Sequence, residues 1–166
     1  MTANRLSYIV DIEASGLSPE SYPIQVAWVG LDGGPPDGFF IVPAEGWTYW
    51  DYNAQDLHGI SRAKLLAEGI SIYEACQRLN ETFRGCELYS DAPGHDQFWL
   101  SQLFESAEVH DEMPELASVF TLLTADETEE FIRICGLQRR THDALSDCSD
   151  VREAIIRARR YDTLQS

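Results

Sequence analysis

The sequence predicts a mixed α/β domain, a small sheet layered with helices. Three observations predict it. Apolar strand-like runs separated by turn residues fill the first part of the chain, up to Val42. Helical periodicity dominates from Asn53 onward, and one short strand-like run, Glu87 to Ser90, interrupts the helices.

The elements follow in order. Leu6 to Ile12 (LSYIVDI) is apolar on both faces, as a strand inside a sheet requires. Ile24 to Leu31 (IQVAWVGL) reads as a second strand. The turn cluster Gly33-Gly34-Pro35-Pro36-Asp37-Gly38 leads to a third, Phe39 to Val42 (FFIV), so the first three strands form an antiparallel meander. Asn53 to Leu57 is a short helix. Ser71 to Phe83 carries Ile72, Ala75, Cys76, Leu79 and Phe83 at helical spacing, with Ser71 as N-cap and Glu74 three residues on. After the strand Glu87 to Ser90, helices are expected at Asp96 to Phe104, Thr124 to Cys135 and Ala144 to Arg160. No internal repeat, low-complexity tract or linker breaks the chain, and its 166 residues suit one domain, 1–166.

Composition narrows the class. The chain is 44% hydrophobic and 24% charged, as in a globular protein, and no apolar run has the length of a membrane span. Met1 to Ser7 lacks the basic segment and apolar core of a signal peptide, so a cytoplasmic protein without membrane contact is expected. Cys76, Cys86, Cys135 and Cys148 show neither C-x-x-C nor zinc-finger spacing and read as reduced thiols in or near the core. The net charge is −16, from 28 acidic and 12 basic residues. No Lys or Arg lies between Arg84 and Arg133, where Glu105, Glu108, Asp111, Glu112 and Glu115 crowd, and seven of the twelve basic residues fall from Arg133 to Arg160. A protein that grips long nucleic acid by its phosphates usually shows a basic patch instead.

Several carboxylates occupy unexpected places. Asp11 and Glu13, two apart on a strand, project from one face of its end. Side by side they repel and lose hydration, and a hard divalent cation would relieve both problems. Asp147 falls on the apolar stripe of the last helix, among Ala144, Cys148, Val151, Ile155 and Ala158, with His142 five residues upstream. Asp96 follows the strand end at Ser90 and a Pro-Gly turn, at a helix start. Read singly, each has a plainer explanation: a solvated strand end, a turn residue, an N-cap.

Together, the segments D-x-E, D-x-x-x-L and H-x-A-L-x-D resemble, in order and context, the three exonuclease motifs of the DEDD family of 3′–5′ exonucleases. The last has the histidine form that defines the DEDDh branch. The matching residues are Asp11, Glu13, Asp96, His142 and Asp147, and the resemblance runs from about Tyr8 to Arg157. Asp11 to Leu17 is similar to the family's first motif, including its Gly-Leu. Leu57-His58-Gly59-Ile60-Ser61 is similar to a loop common in this branch, and His142 to Asp147 is the most specific piece. The middle motif departs from the pattern. The family often has an Asn a few residues ahead of its Asp and a Phe directly before it. Here Asp91 and His95 occupy those neighbourhoods, and Asp91 is the alternative to Asp96 as the middle acid.

The resemblance implies a ribonuclease H-like fold: a five-stranded mixed sheet, three antiparallel strands then two parallel ones, flanked by helices. It implies two divalent cations, Mg²⁺ or Mn²⁺, roughly 3.5–4 Å apart and clamping an in-line phosphoryl displacement. Asp11 would bridge them, Glu13, Asp96 and Asp147 would complete their shells, and His142 would act as general base. Nucleoside 5′-monophosphates would leave the 3′ end of a short or single-stranded nucleic acid. By the same similarity, Ala14, Ser15, Gly16, Leu17 and His58 would meet the terminal nucleotide. From the residues alone, Trp47, Tyr49, Trp50 and Tyr52 suit base stacking, loop packing or a subunit contact such as a homodimer, and Arg139 and Arg140 suit phosphate or solvent. Two other classes stay open. One is a binding or scaffold module of the same fold with reduced chemistry; the other is a phosphodiesterase for small oligonucleotides.

Overall fold

Strand β1, Ser7–Ala14, runs through the middle of a five-stranded sheet. The computed structural model describes residues 5–110, 113–138 and 140–165, with side chains to residue 160. β1 pairs antiparallel with β2 (Pro23–Gly30), which pairs antiparallel with β3 (Asp37–Phe40). On its other side β1 pairs parallel with β4 (Glu87–Ser90), and β4 pairs parallel with β5 (Leu116–Ser118). The order β3-β2-β1-β4-β5 is the three-antiparallel, two-parallel ribonuclease H-like sheet.

Alternation along β1 divides the core. Val10, Ile12 and Ala14 pack with Val26 and Trp28 of β2 against α3 (Ile72–Phe83) and α4 (Pro93–Ser106). Ile9 turns the other way, joining Ala27 and Val29 under α5 (Ala125–Leu137) and α6 (Ala144–Gln165). α3 presents Ala75, Cys76, Leu79 and Phe83 as one buried face, each large apolar side chain contributing about 1.5–3 kcal/mol. Beyond α1 (Tyr52–His58), which buries no residue, a third cluster joins Tyr22, Ile24 and Ile60 to Leu65 of α2 (Arg62–Glu68).

Differences from the sequence expectations have physical causes. β3 ends at Phe40; Ile41 still donates its N–H to the Ile24 carbonyl of β2 at 2.9 Å and makes a lone parallel bridge with Ile70. α2 carries no helical stripe in sequence, because its one buried residue is Leu65. Ser61 caps it, accepting from the Lys64 N–H at 3.2 Å. α4 begins at Pro93 rather than Asp96: the Pro-Gly pair is its first turn, where proline's fixed φ fits and its missing N–H is no loss. β5, three residues long, has too little alternation to show in sequence and exists by pairing with β4. The cap read at Ser71 is in place. Thr124 forms a capping box with Glu127.

Candidate metal and catalytic site

Alternation sends Asp11 and Glu13 to the same face of β1 as Ile9, toward α6. Asp11 is 8% exposed and Glu13 is half-buried. The register places Glu13 opposite Gln25 of β2.

Gln25 fixes the start of α6. Its buried amide donates from Nε2 to Asp143 Oδ1 at 3.2 Å and accepts at Oε1 from the Ala144 N–H, also at 3.2 Å. The other oxygen of Asp143 caps the helix, accepting from the Ser146 N–H at 3.1 Å. One turn on, Asp147 is buried, and its Oδ1 accepts from the Thr141 N–H at 3.3 Å and Thr141 Oγ1 at 3.0 Å. Thr141 and Asp143 are therefore both tied down, and His142 between them adopts a left-handed backbone with φ 53°. Non-glycine residues rarely take that conformation unless the surroundings hold them there.

Asp96 reaches the same place from α4. It is 2% exposed, and its carboxylate accepts from Ser90 Oγ at the end of β4. Ser90 Oγ accepts in turn from the Ala92 N–H at 2.9 Å. Asp91 instead pairs with Arg140, the two forming an ion pair at the rim.

Among the described residues, Glu13, His142 and Asp147 each offer an atom within 4.8 Å of the other two. Asp11 and Asp96 adjoin them electrostatically. Burial, then Asp96, Glu13, Asp91 and Asp147, pushes the Asp11 carboxyl well above the usual range. Burial, then Asp147, Asp96 and Asp143, raises Glu13 to about 7, with Arg140 opposing. Burial likewise raises Asp96 to about 7, against the pull of its Ser90 hydrogen bond. Carboxylates so placed would hold protons or share cations at neutral pH. Oxygen-rich donors with one imidazole suit a hard divalent ion.

The segment after β1 lies alongside. Ser15 is buried, its N–H donating to the Tyr22 carbonyl at 2.9 Å. Gly16 leaves no room for a side chain: a Cβ there would lie 2.8 Å from Tyr49 Cε1. Leu17 stands 78% exposed. His58, at the end of α1, accepts at Nδ1 from the Ile60 N–H at 3.0 Å. Burial lowers its pKa, the Ala14 backbone opposes that, and His142 lowers it further. Trp47, Tyr49 and Trp50 pack in the third core cluster, Trp47 stacking on Tyr22 at 4.8 Å, whereas Tyr52 stays exposed. Arg139 lies outside the described residues.

Sequence reading missed the supports of the site. Asp143 three residues before Ser146 was a legible capping signal. Gln25, Ser90 and Thr141 had none, because their partners are brought to them by the fold.

A ribonuclease H-like sheet with acids gathered from β1, α4 and the start of α6 defines the structural class. Within it, the chain is similar to solved structures of exonuclease I. The enzyme of Methylocaldum szegediense is 18% identical with a TM-score of 0.71, covering 93% of this chain and 41% of that one. A zinc-bound Escherichia coli exonuclease I complex with single-stranded DNA is 14% identical, TM-score 0.70, covering 95% and 41%. The E. coli enzyme with a dT13 oligonucleotide is 17% identical, TM-score 0.68, covering 97% and 43%. The chain thus spans about two fifths of the length of these structures. No protein-family model and no curated protein sequence matches it.

Proposed function

We propose that this chain is a DEDDh-type 3′–5′ exonuclease domain, spanning 1–166, that releases nucleoside 5′-monophosphates from short or single-stranded nucleic acid. The observation that carries this is the convergence of Asp11, Glu13, Asp96, His142 and Asp147 from three separate parts of the chain. Similarity of fold to exonuclease I bound to single-stranded DNA supports it.

Asp11, Glu13, Asp96 and Asp147 would hold two divalent cations, Mg²⁺ or Mn²⁺. Burial, aided by neighbouring acids, raises the proton affinities of Asp11, Glu13 and Asp96, which fits this role. Bound cations would neutralise the carboxylates and the phosphate and lower the pKa of water. His142 would take the proton of the attacking water. Its ring within 4.8 Å of Glu13 and Asp147 also admits a second role, as a ligand. Leu17 and His58, with the backbone of Ala14 to Gly16, would receive the terminal nucleotide.

The −16 charge favours a substrate gripped only at its last few nucleotides, since long tracts are held by Lys and Arg. It equally suits a phosphodiesterase for small oligonucleotides, whose chemistry would be the same. The presence of all five side chains argues against a module of reduced chemistry. Four unpaired thiols suit a reducing compartment, and we place the protein in the cytoplasm. No helix among the described residues is long and apolar enough to cross a membrane.

The test is a time course on end-labelled DNA and RNA strands of about five to thirty nucleotides, at two salt concentrations. Mg²⁺ or Mn²⁺ should support stepwise loss from the 3′ end, with little dependence on length or salt. A 3′-phosphate should block digestion and a chelator should abolish it. Full activity in excess chelator, or cleavage of a circular strand, would overturn the reading.

A further inference from the structure

We propose that Arg140 is a phosphate-holding residue of this site, its guanidinium fixed by Asp91 and gripping the phosphate of the terminal nucleotide. The inference rests on the nuclease reading above and adds a residue to it.

Arg140 stands at the rim of the acid cluster. Burial opposes its charge, but Asp91, then Asp11 and Asp147, more than offset that and raise its pKa. Arg140 in turn steadies the ionised forms of Glu13 and Asp96. The guanidinium is thus close enough to act on acids from both β1 and α4. Its place is fixed twice. Thr141, the next residue, is tied to Asp147 through its N–H and hydroxyl. Asp91, whose side chain is only 10% exposed, grips Arg140 by Nη2.

Arg140 itself is 49% exposed on its side chain. An arginine that served only to neutralise buried acids would be enclosed by them. This one is anchored at one edge and open at the other, which leaves the rest of the guanidinium fork for a planar oxyanion. Cations bound among the carboxylates would neutralise the acids beyond Asp91 and leave the open edge of Arg140 to a phosphate.

The chemistry is balanced without proton loss from Arg140. Water adds to phosphorus as His142 takes its proton, the bond to the upstream 3′ oxygen breaks, and that oxygen takes a proton from solvent and leaves as the new terminal hydroxyl. Arg140 holds a non-bridging oxygen throughout, and the same phosphate departs on the nucleoside 5′-monophosphate. Product affinity therefore reports the contact independently of turnover.

The experiment compares wild type with Arg140→Ala, Arg140→Lys, Asp91→Asn and the double variant Asp91→Asn/Arg140→Ala. It reads kcat and KM on an oligonucleotide, calorimetric affinity for thymidine 5′-monophosphate and for thymidine with Mn²⁺ present, and Mn²⁺ affinity alone. Arg140→Ala should lower kcat/KM roughly 10–100-fold, less than loss of a fully enclosed donor. It should weaken thymidine 5′-monophosphate about tenfold and leave thymidine unchanged, while Mn²⁺ alone binds no more weakly. Arg140→Lys should recover part of the loss, Asp91→Asn should lie between, and the double variant should be no better than Arg140→Ala. If the double variant returns to wild-type activity, Arg140 only compensates Asp91 and the proposal fails. Unaltered affinity for thymidine 5′-monophosphate in Arg140→Ala also overturns it while leaving the nuclease reading intact. Should Arg140→Ala not fold, Arg140→Lys and Asp91→Asn decide on the same readouts. A wild type that hydrolyses no strand with either metal overturns the nuclease reading and this inference together.

Discussion

His142 is held in a backbone conformation that most residues avoid, with φ 53°. Such a conformation costs on the order of 1–3 kcal/mol and persists where neighbours over-determine it. Here Thr141 is bound to Asp147 and Asp143 is bound to Gln25 and Ser146, so the histidine between them has little freedom. The result brings its ring to Glu13 and Asp147. If His142 is the general base, His142→Ala should lose on the order of 10²–10⁴ in kcat while Mn²⁺ affinity holds. Asp147→Asn should lower both, since its carboxylate is a proposed ligand. Mn²⁺ titration of the two variants separates the roles: a loss of Mn²⁺ affinity in His142→Ala would reassign the imidazole as a ligand.

At the scale of elements, the site depends on how α6 meets β2. The two are joined by the Gln25 amide, which bonds both Asp143 and the Ala144 N–H. Gln25→Leu keeps the volume but strands a buried N–H and a carboxylate oxygen. It should destabilise the protein by about 1–3 kcal/mol, read as a shifted urea midpoint. It should also lower kcat at saturating metal, because His142 and Asp147 sit on either side of the loosened turn. Wild-type kcat in a folded Gln25→Leu protein would show that the helix start is placed by its apolar face alone. That face, from Ala144 through Cys148, Val151 and Ile155, sets the rotation of α6, and Gln25 sets its position along the sheet.

For the whole molecule, the gathered acids make stability depend on pH and cations. Glu13 and Asp96 are raised to about 7, and Asp11 is raised as well. An acid whose folded pKa exceeds its unfolded value holds its proton more tightly when folded. The contribution of Glu13 and Asp96 to stability therefore falls as pH climbs from about 4, the unfolded range, through about 7, and Asp11 acts in the same direction. In chelator, Tm should drop on the order of 5–10 °C between pH 5 and pH 8. Millimolar Mg²⁺ or Mn²⁺, which bind the ionised form, should raise Tm at pH 8 far more than at pH 5. Equal metal effects at both pH values would argue that the cluster is not the binding site. The remaining acidic surface lies apart from this balance and acts through solubility and repulsion of distant phosphates.

Most of the sheet was legible in local pattern. β1 and β2 are long enough to show as apolar runs, the cap at Ser71 declares its helix, and Asp147 shows its inward direction by falling on an apolar stripe. The misplacement of Asp11 and Glu13 was legible too, since strand alternation alone puts both on one face. The order of the parallel strands came from family resemblance rather than from pattern, β5 carried no local signal, and α2 offered a cap at Ser61 and helix-forming residues but no apolar stripe. What pattern could not contain was proximity across the chain. Ser90 on Asp96, Arg140 on Asp91, and Gln25 on Asp143 and Ala144 join positions up to 119 residues apart. Those contacts exist only once β4, β2, α4 and α6 are docked. Side-chain type and periodicity are local properties that sequence records directly. The supports and electrostatics of a site depend on three-dimensional distance, which packing alone decides.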